Sequence, residues 1–260
     1  MKNKHVPMLF STDMVQSLMS DTKLETRRIV KYSKKITDEK IGFSVFTEPN
    51  EFEVRGTHEN GQFGCSIFKK PINKGDIIWV RESYYAWGKW IKNGTSKTGK
   101  QKYIFNDLTL NKVGRKYHYL TDVFDKKLLR KNNNSEKENI EGWYKRNSLF
   151  MPKKACRIFL EVVSVSVERL QDIDEQGAIN EGVDTCFKKG TQYYKEGDYK
   201  NYTWHGDGGN DSFSGYSNVE NAKQSFQSLW HKINGKDSWD KNPFVWVYKF
   251  ERTEKPLDFI

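Results

Sequence analysis

The chain has 260 residues, of which 36% are hydrophobic and 14% aromatic, and its 44 Lys and Arg against 34 Asp and Glu give a net charge of +10. This length suffices for a substantial core, which we expect to rely on aromatic side chains. No stretch reaches the roughly 18 consecutive apolar residues of a membrane span, and no apolar run follows Met1–His5, so we expect neither a membrane segment nor a secretion signal.

The net charge indicates which binding partners to consider, and the cysteines indicate the cellular compartment. A basic chain favours polyanions, so nucleic acid and nucleotides are the first partners to consider, although the lysines look scattered and a simply basic surface explains the charge equally well. Cys65, Cys156 and Cys186 are odd in number and lack a CxxC spacing, which indicates reduced thiols and a cytoplasmic location. The His residues form no HExxH or Cys/His group, so we expect no metal site.

The N-terminal elements alternate strand, helix and strand. Residues 6–10 read as a short strand, and Ser11 or Thr12 can cap a helix that ends near Asp21. The alternation over residues 24–30 predicts a second strand with both faces partly occupied.

The stretch Lys23–Arg28 combines a possible base, a possible nucleophile and an anion-binding arginine. In a strand, the period of two puts Thr26 and Arg28 on one face, with Lys23 at the turn that leads into it. This arrangement would form a compact polar site. A basic surface strand is the competing interpretation, and the spacing alone favours it.

The next segment contains one clear strand. Residues 31–70 are predicted to form loops and short strands, whereas residues 77–81 form a buried strand after a turn. Tyr84 and Tyr85 follow where a strand end can line a pocket, although rings at such positions more often pack in a core.

Two polar regions interrupt the pattern. Residues of about 86–147 are rich in Lys, Asn, Gly and Tyr, and we interpret them as an insertion that carries one or two β-hairpins. Residues of about 187–218 are dense in Gly, Tyr, Asp and Asn, which is typical of a mobile loop or lid.

The longest β signal covers residues 157–167 and predicts a central strand. A short helix follows, with Asp172 or Asp174 as its cap and Gly182 as its stop. Glu181 falls in the last turn, where the helix dipole disfavours a carboxylate, and this hints at a role for Glu181 other than helix stability.

The C-terminal elements complete the predicted fold. Residues 219–233 form an amphipathic helix, and residues 244–250 form a final strand. The apolar face of the helix consists of Ala222, Phe226, Leu229, Trp230 and Ile233. The order of elements predicts an α+β fold, with a mixed sheet or small barrel and helices outside it.

These segments resemble, in chain order, the ASCH domains of the PUA-like superfamily, and more closely its large phage-encoded members. The similar segments are Leu9–Thr12, Lys23–Arg28, Lys74–Glu82, Met151–Arg157, Glu168–Ile173, Trp230, Ile233–Gly235, Trp239, Pro243 and Trp246. The resemblance spans nearly the whole chain and implies one domain over residues 1–260. That domain would be a PUA-like mixed β-barrel with peripheral helices and the two loop-rich insertions. The resemblance to phage-encoded members also implies that the protein acts in the cytoplasm, which is the host cytoplasm if a phage encodes it.

The resemblance also implies an active site. Small bacterial ASCH members hydrolyse the amide of N4-acetylcytidine with a Lys, a Thr two residues before an Arg, and a Glu from the helix after the long strand. Lys23, Thr26 and Glu181 match the catalytic positions, and Arg28 matches the substrate-binding one. The usual Gly before the Lys motif is Asp21 here, and together with the two insertions this departure indicates that the substrate can differ.

We therefore expect a metal-independent amidohydrolase without a cofactor, acting on a modified nucleoside or nucleobase. Lys23 with a lowered pKa would activate the weakly nucleophilic Thr26 hydroxyl. Glu181 would orient Lys23 or protonate the leaving amine. Arg28 would hold a carbonyl oxygen or a phosphate with its planar guanidinium group.

Two alternatives stay open. The chain could be a non-catalytic module that binds RNA or modified nucleic acid, with Tyr84, Tyr85 or Trp87 stacking on bases. It could also be a ribonuclease, which would have to cleave RNA in the presence of a chelator if it used no metal.

Overall fold

The structure is a computed structural model, and it describes residues 3–31, 42–44, 51–57, 62–111, 114–130, 139–184, 199–203 and 218–259. Strands predominate over helices, so the predicted α+β class is confirmed. No helix in the described segments is long and apolar enough to cross a membrane. Most of the predicted insertion at 187–218 lies outside the described residues.

Fifteen strands and three α-helices occur in these ranges, together with six short 3₁₀ helices. The strands are β1 His5–Leu9, β2 Glu25–Ile29, β3 Gly42–Ser44, β4 Glu51–Thr57, β5 Phe63–Lys69, β6 Ile77–Arg81, β7 Tyr84–Thr95, β8 Gln101–Asp107, β9 His118–Tyr119, β10 Leu129–Arg130, β11 Gly142–Arg146, β12 Phe159–Arg169, β13 Tyr199–Lys200, β14 Asn218–Val219 and β15 Phe244–Thr253. The helices are α1 Thr12–Met19, α2 Glu175–Asn180 and α3 Ala222–Asn234.

The strands form four sheets. The largest has the order β1-β6-β12-β15-β2, and a second has the order β10-β11-β7-β8 with β9 also paired to β7. Smaller sheets have the orders β3-β4-β5 and β13-β14. In each described sheet of three or more strands, the first and last strands of the order are not paired with each other. The strands that the structure describes therefore do not close into the expected barrel.

The chain divides into two compact units. Unit 1 comprises Met1–Lys4, Ser20–Ile77 and Glu161–Arg252, and unit 2 comprises His5–Met19, Ile78–Leu160 and Thr253–Ile260. The predicted insertion at 86–147 belongs to unit 2, whereas the stretch Lys23–Arg28 and Glu181 belong to unit 1.

Helix α3 is capped at both ends within unit 1. The Asn221 side chain accepts a hydrogen bond from the Gln224 N–H at 2.9 Å, and Gly235 follows the helix with φ of 88°. The predicted apolar face is buried as far as Trp230. Ile233, predicted on that face, is 47% exposed, because the buried stripe ends one turn before the helix does.

Unit 2 has a hydrophobic cluster of its own, built around strand β7. Its buried members are Tyr84, Ala86, Tyr117, Tyr119, Met151 and Ala155, with Phe105 and Cys156 packed against them. Three of these six side chains are tyrosines, so the expected reliance on aromatic rings holds in this unit.

Gly88 permits the close approach of β7 and β8. A methyl group on Gly88 would collide with the main-chain oxygen of Asn106 and lie 2.7 Å from a ring carbon of Phe105. We expect Gly88→Ala to lower the free energy of unfolding by about 1–3 kcal/mol in urea denaturation, since a strand backbone cannot yield easily. Gly142→Ala is the matched control, because its methyl group would meet only the flexible Arg130 side chain, and it should change stability by about 0.5 kcal/mol. Equal losses for the two variants would contradict this assignment.

Candidate functional site

Helix α2 ends where the sequence predicts, and its end presents Glu181. Asp174 accepts a hydrogen bond from the Gly177 N–H at 2.7 Å, so Asp174 is the N-cap. The Glu181 N–H donates to the Gly177 carbonyl at 3.0 Å, and Gly182 stops the helix with φ of 78°. Glu181 is therefore the C-cap residue, held by the last helical hydrogen bond.

A main-chain hydrogen bond joins the C-terminal end of helix α2 to the segment before β2. The Leu24 N–H donates to the Asn180 carbonyl at 2.7 Å, and the Leu24 carbonyl accepts from the Phe250 N–H at 3.0 Å. Lys23 directly precedes Leu24, and Glu181 directly follows Asn180, so both are adjacent to the residues of the first hydrogen bond. The backbone thus places these two predicted site residues beside each other.

Lys23 and Glu181 form a buried ion pair. The Lys23 Nζ lies 2.6 Å from Glu181 Oε2, and it also donates to the Glu181 main-chain oxygen at 2.7 Å. Each residue is only 2% exposed. A buried pair is tolerated only where additional hydrogen bonds satisfy the remaining groups, and the second bond from Lys23 meets part of that need.

The surroundings of Lys23 lower its pKa. Burial is the largest cause, because a low-dielectric environment disfavours the ammonium form. The Glu181 carboxylate opposes this effect, whereas the positive charges of Arg28 and Arg27 reinforce it. Lys23 therefore gives up its proton more easily than an exposed lysine does.

Arg27, which is not among the predicted site residues, links three carboxylates. Its Nη1 lies 2.6 Å from Glu25 Oε1 and 3.4 Å from Glu181 Oε1, and its Nε lies 2.7 Å from Glu168 Oε1. Burial alone would lower the pKa of Arg27, but these carboxylates raise it above its ordinary value. The Phe226 ring, 5.9 Å from the guanidinium carbon, covers the group. Glu181 thus shares its two oxygens between Lys23 and Arg27.

Thr26 and Arg28 lie on the opposite face of β2. Their partners on β15 are Tyr248 and Trp246, whose rings stack with centroids 6.5 Å apart. Thr26 is 1% exposed. Burial lowers the pKa of Arg28, although the Glu181 carboxylate works against this change. The predicted face of Thr26 and Arg28 therefore exists, and Arg28 is near enough to Glu181 for their charges to interact.

A pocket of about 230 Å³ lies on the other face of β2, the one with Glu25 and Arg27. The other charged residues of its lining are Glu168, Asp172, Asp174 and Lys249. Carboxylates outnumber cations in this lining, so the pocket is acidic. Thr26 and Arg28 are not among the lining residues, and Arg27 is the link between the pocket and Glu181.

Tyr84 and Tyr85, predicted to bind substrate, pack inside unit 2. Tyr84 is 2% exposed, and its hydroxyl donates to the Phe150 carbonyl at 3.0 Å. Tyr85 is 3% exposed and stacks on Phe124 with ring centroids 4.7 Å apart. Both rings thus make the contacts of core residues.

The lowered pKa of Lys23 has a measurable consequence for stability. Between the folded-state pKa and the ordinary value of 10.5, the unfolded chain binds more protons at Lys23 than the folded protein does. The free energy of unfolding therefore increases as the pH rises through that range. We expect the wild type to gain stability relative to Lys23→Met as the pH rises toward the ordinary lysine pKa of 10.5, measured by urea denaturation. A difference between the wild type and Lys23→Met that stayed constant as the pH rises would contradict the lowered pKa of Lys23.

Comparison of the chain with known protein families, curated proteins and solved structures finds no match. Within the part of the chain that the structure describes, no group of three or more His, Cys, Asp and Glu is arranged to hold a metal ion.

The contact between Glu25 and Arg27 could have been predicted from the sequence, since opposite charges two residues apart share a strand face. Glu168 carries no such signal, because only the fold brings it to Arg27.

Proposed function

We propose that the chain is a metal-independent amidohydrolase that removes the acyl group from a modified nucleoside of the N4-acetylcytidine type. The observation that carries this proposal is the buried Lys23, held by Glu181 at 2.6 Å with a pKa lowered by burial. A general base works best when its pKa lies near the working pH, and burial moves a lysine in that direction. Lys23 is close in sequence to Thr26, whose hydroxyl needs such a base.

The proposed reaction has two stages. The Lys23 Nζ, in the neutral form that its lowered pKa makes accessible, takes the proton of the Thr26 hydroxyl as that oxygen attacks the acyl carbonyl carbon. The carbon–nitrogen bond then breaks, and the leaving amine of the base receives the proton from Lys23. Water next attacks the acyl group on Thr26 and gives its proton to Lys23, the carboxylic acid departs, and Thr26 recovers its proton.

Glu181 and Arg28 support these stages without changing covalently. Glu181 keeps Lys23 in place through the two contacts of its carboxylate and its main-chain oxygen. Arg28 holds the carbonyl oxygen while negative charge develops on it. Lys23 and Thr26 are 2% and 1% exposed, so side chains around them must move to admit a substrate. A site closed to bulk water favours the neutral lysine that the reaction needs.

We also propose that the chain is an ASCH member of the PUA-like superfamily and acts in the cytoplasm. Asp21 stands where the family usually has Gly, and it adopts φ of 55°. Glycine adopts this left-handed conformation most easily, and Asp is among the few other residues that tolerate it. The contact between Lys23 and Glu181 is the second feature that supports the resemblance.

Release of cytidine from N4-acetylcytidine, followed by chromatography, tests the proposed function. The wild type should release cytidine and acetate in equal amounts, with and without a chelator, whereas Lys23→Ala and Thr26→Ala should be inactive. A panel of other acylated nucleosides covers a substrate that differs in its base or acyl group. No turnover on any member of the panel would overturn the proposal.

A further inference from the structure

The positive charge of the chain is concentrated in one segment. Residues 78–160, the main part of unit 2, contain 19 Lys and Arg against 7 Asp and Glu, a net charge of +12. This exceeds the net charge of +10 of the whole chain, so the remaining residues are slightly acidic. The excess of positive over negative charge therefore lies in unit 2, because this segment holds few Asp and Glu residues to balance its lysines and arginines.

Several carboxylates of this segment are engaged within unit 2. Glu82 accepts hydrogen bonds from Arg157 at 2.9 and 3.0 Å, and Asp122 accepts one from the same guanidinium group at 3.0 Å. Asp107 accepts one from the Tyr117 hydroxyl at 2.7 Å. These three carboxylates are engaged in contacts within unit 2, and of the lysines in the described ranges only Lys154 lies within ion-pair distance of one of them, at 4.0 Å from Asp107.

One face of the sheet around β7 carries a row of aromatic rings. Trp87 and Trp143 are direct partners on β7 and β11, with ring centroids 5.7 Å apart. Phe124 lies 5.6 Å and His118 5.1 Å from the Trp143 ring. We call these four residues the aromatic face. Each is partly exposed, unlike the tyrosines of the core on the other side of β7.

Cations lie beside the aromatic face. The Arg115 guanidinium carbon lies 3.9 Å from the centroid of the Trp87 ring. Lys89 and Lys145 follow Trp87 and Trp143 by two residues in their strands, which puts them on the same face. Trp87 Nε1 and Arg115 Nη1 have no hydrogen-bond partner in the described ranges. Partly exposed rings, cations and donors without partners thus occur together.

We propose that the aromatic face binds single-stranded nucleic acid, a function beyond the amide hydrolysis proposed for unit 1. Bases stack on Trp87 and Trp143, and stacking is tolerant of sequence because every base has a π-face. Arg115, Lys89 and Lys145 contact phosphates. Unpaired bases suit this face better than a duplex does, since a duplex keeps the faces of its bases within its own stack. The net charge of +12 in residues 78–160 complements the phosphates.

Fluorescence anisotropy of the full chain with a labelled oligouridylate of about 12 nucleotides tests this proposal. Binding should weaken steeply between about 50 and 200 mM salt, as release of counterions requires. A duplex of the same length should bind more weakly than the single strand. Trp87→Leu and Trp143→Leu keep apolar volume but lose the stacking ring, and each should weaken binding about tenfold.

A charge-matched pair of double variants separates the face from general electrostatics. Lys89→Gln/Lys145→Gln should lower the slope of log affinity against log salt by about 1.4, since each phosphate contact with a single strand accounts for about 0.7. Lys236→Gln/Lys241→Gln removes the same charge from unit 1 and should leave the slope unchanged. Equal binding of duplex and single strand, or folded tryptophan variants that bind like the wild type, would overturn the proposal. Thermal unfolding shows whether each tryptophan variant is folded. If one is not, the two lysine double variants decide the question: identical slopes of log affinity against log salt would by themselves overturn the proposal.

Discussion

Lys23→Met is expected to lower kcat for acyl removal by about 10²- to 10⁴-fold, the usual effect of losing a general base. Methionine has nearly the volume of the lysine side chain and no proton acceptor, so it removes the chemistry and keeps the packing. Glu181 retains Arg27 as a partner at 3.4 Å, which limits the structural consequence. Initial rates of cytidine release at saturating substrate measure the effect.

Two further variants make this expectation sharp. Lys236→Met removes an exposed lysine of unit 1 and should leave kcat unchanged. Lys23→Arg keeps a positive charge but cannot act as a base, because a guanidinium group does not lose its proton, so it should be as inactive as Lys23→Met. If Lys23→Arg retained most of the wild-type rate, Lys23 would serve only as a charge, and the proposed mechanism would be wrong.

Glu181→Ala is expected to lower the free energy of unfolding by roughly 3–5 kcal/mol, because removing one member of a buried pair leaves the other charge without compensation. The effect is large here since Glu181 contacts both Lys23 and Arg27. Arg27 keeps Glu25 and Glu168, so most of the loss falls on Lys23. Urea denaturation near pH 7 measures the change.

Glu161→Ala is the matched control for this experiment. Glu161 is exposed on β12 in the same unit, so its loss should change stability by no more than about 0.5 kcal/mol. The double variant Lys23→Met/Glu181→Ala should be more stable than Glu181→Ala, because it no longer buries an uncompensated ammonium group. A Glu181→Ala variant as stable as Glu161→Ala would show that the pair is not buried as described.

The elements with strong local sequence signals are the ones that the sequence predicts well. Strand β6 at residues 77–81 and the start of β15 at residue 244 agree with the pattern, because buried β-branched runs leave little choice of structure. The cap at Asp174 and the stop at Gly182 also agree, since each depends on local backbone geometry. Closure of a barrel and division into two units depend on contacts between distant segments, and no local pattern predicts them.

The candidate site shows the same division between local and distant causes. The strand period correctly separates Thr26 and Arg28 from Glu25 and Arg27. The pairing of Lys23 with Glu181 follows from the family resemblance, and spacing could not have supplied it. The place of Arg27 among three carboxylates is invisible in the sequence, because Glu168 and Glu181 come from other elements.

The separation of Lys23 and Glu181 by 158 residues bears on how the protein folds. Closing so long a loop costs conformational entropy before the contact contributes to stability, so we expect the pair to be absent from the transition state of folding. Substitutions at Glu181 should then accelerate unfolding and leave the folding rate nearly unchanged. The ion pair would therefore govern how long the folded protein persists rather than how quickly it forms.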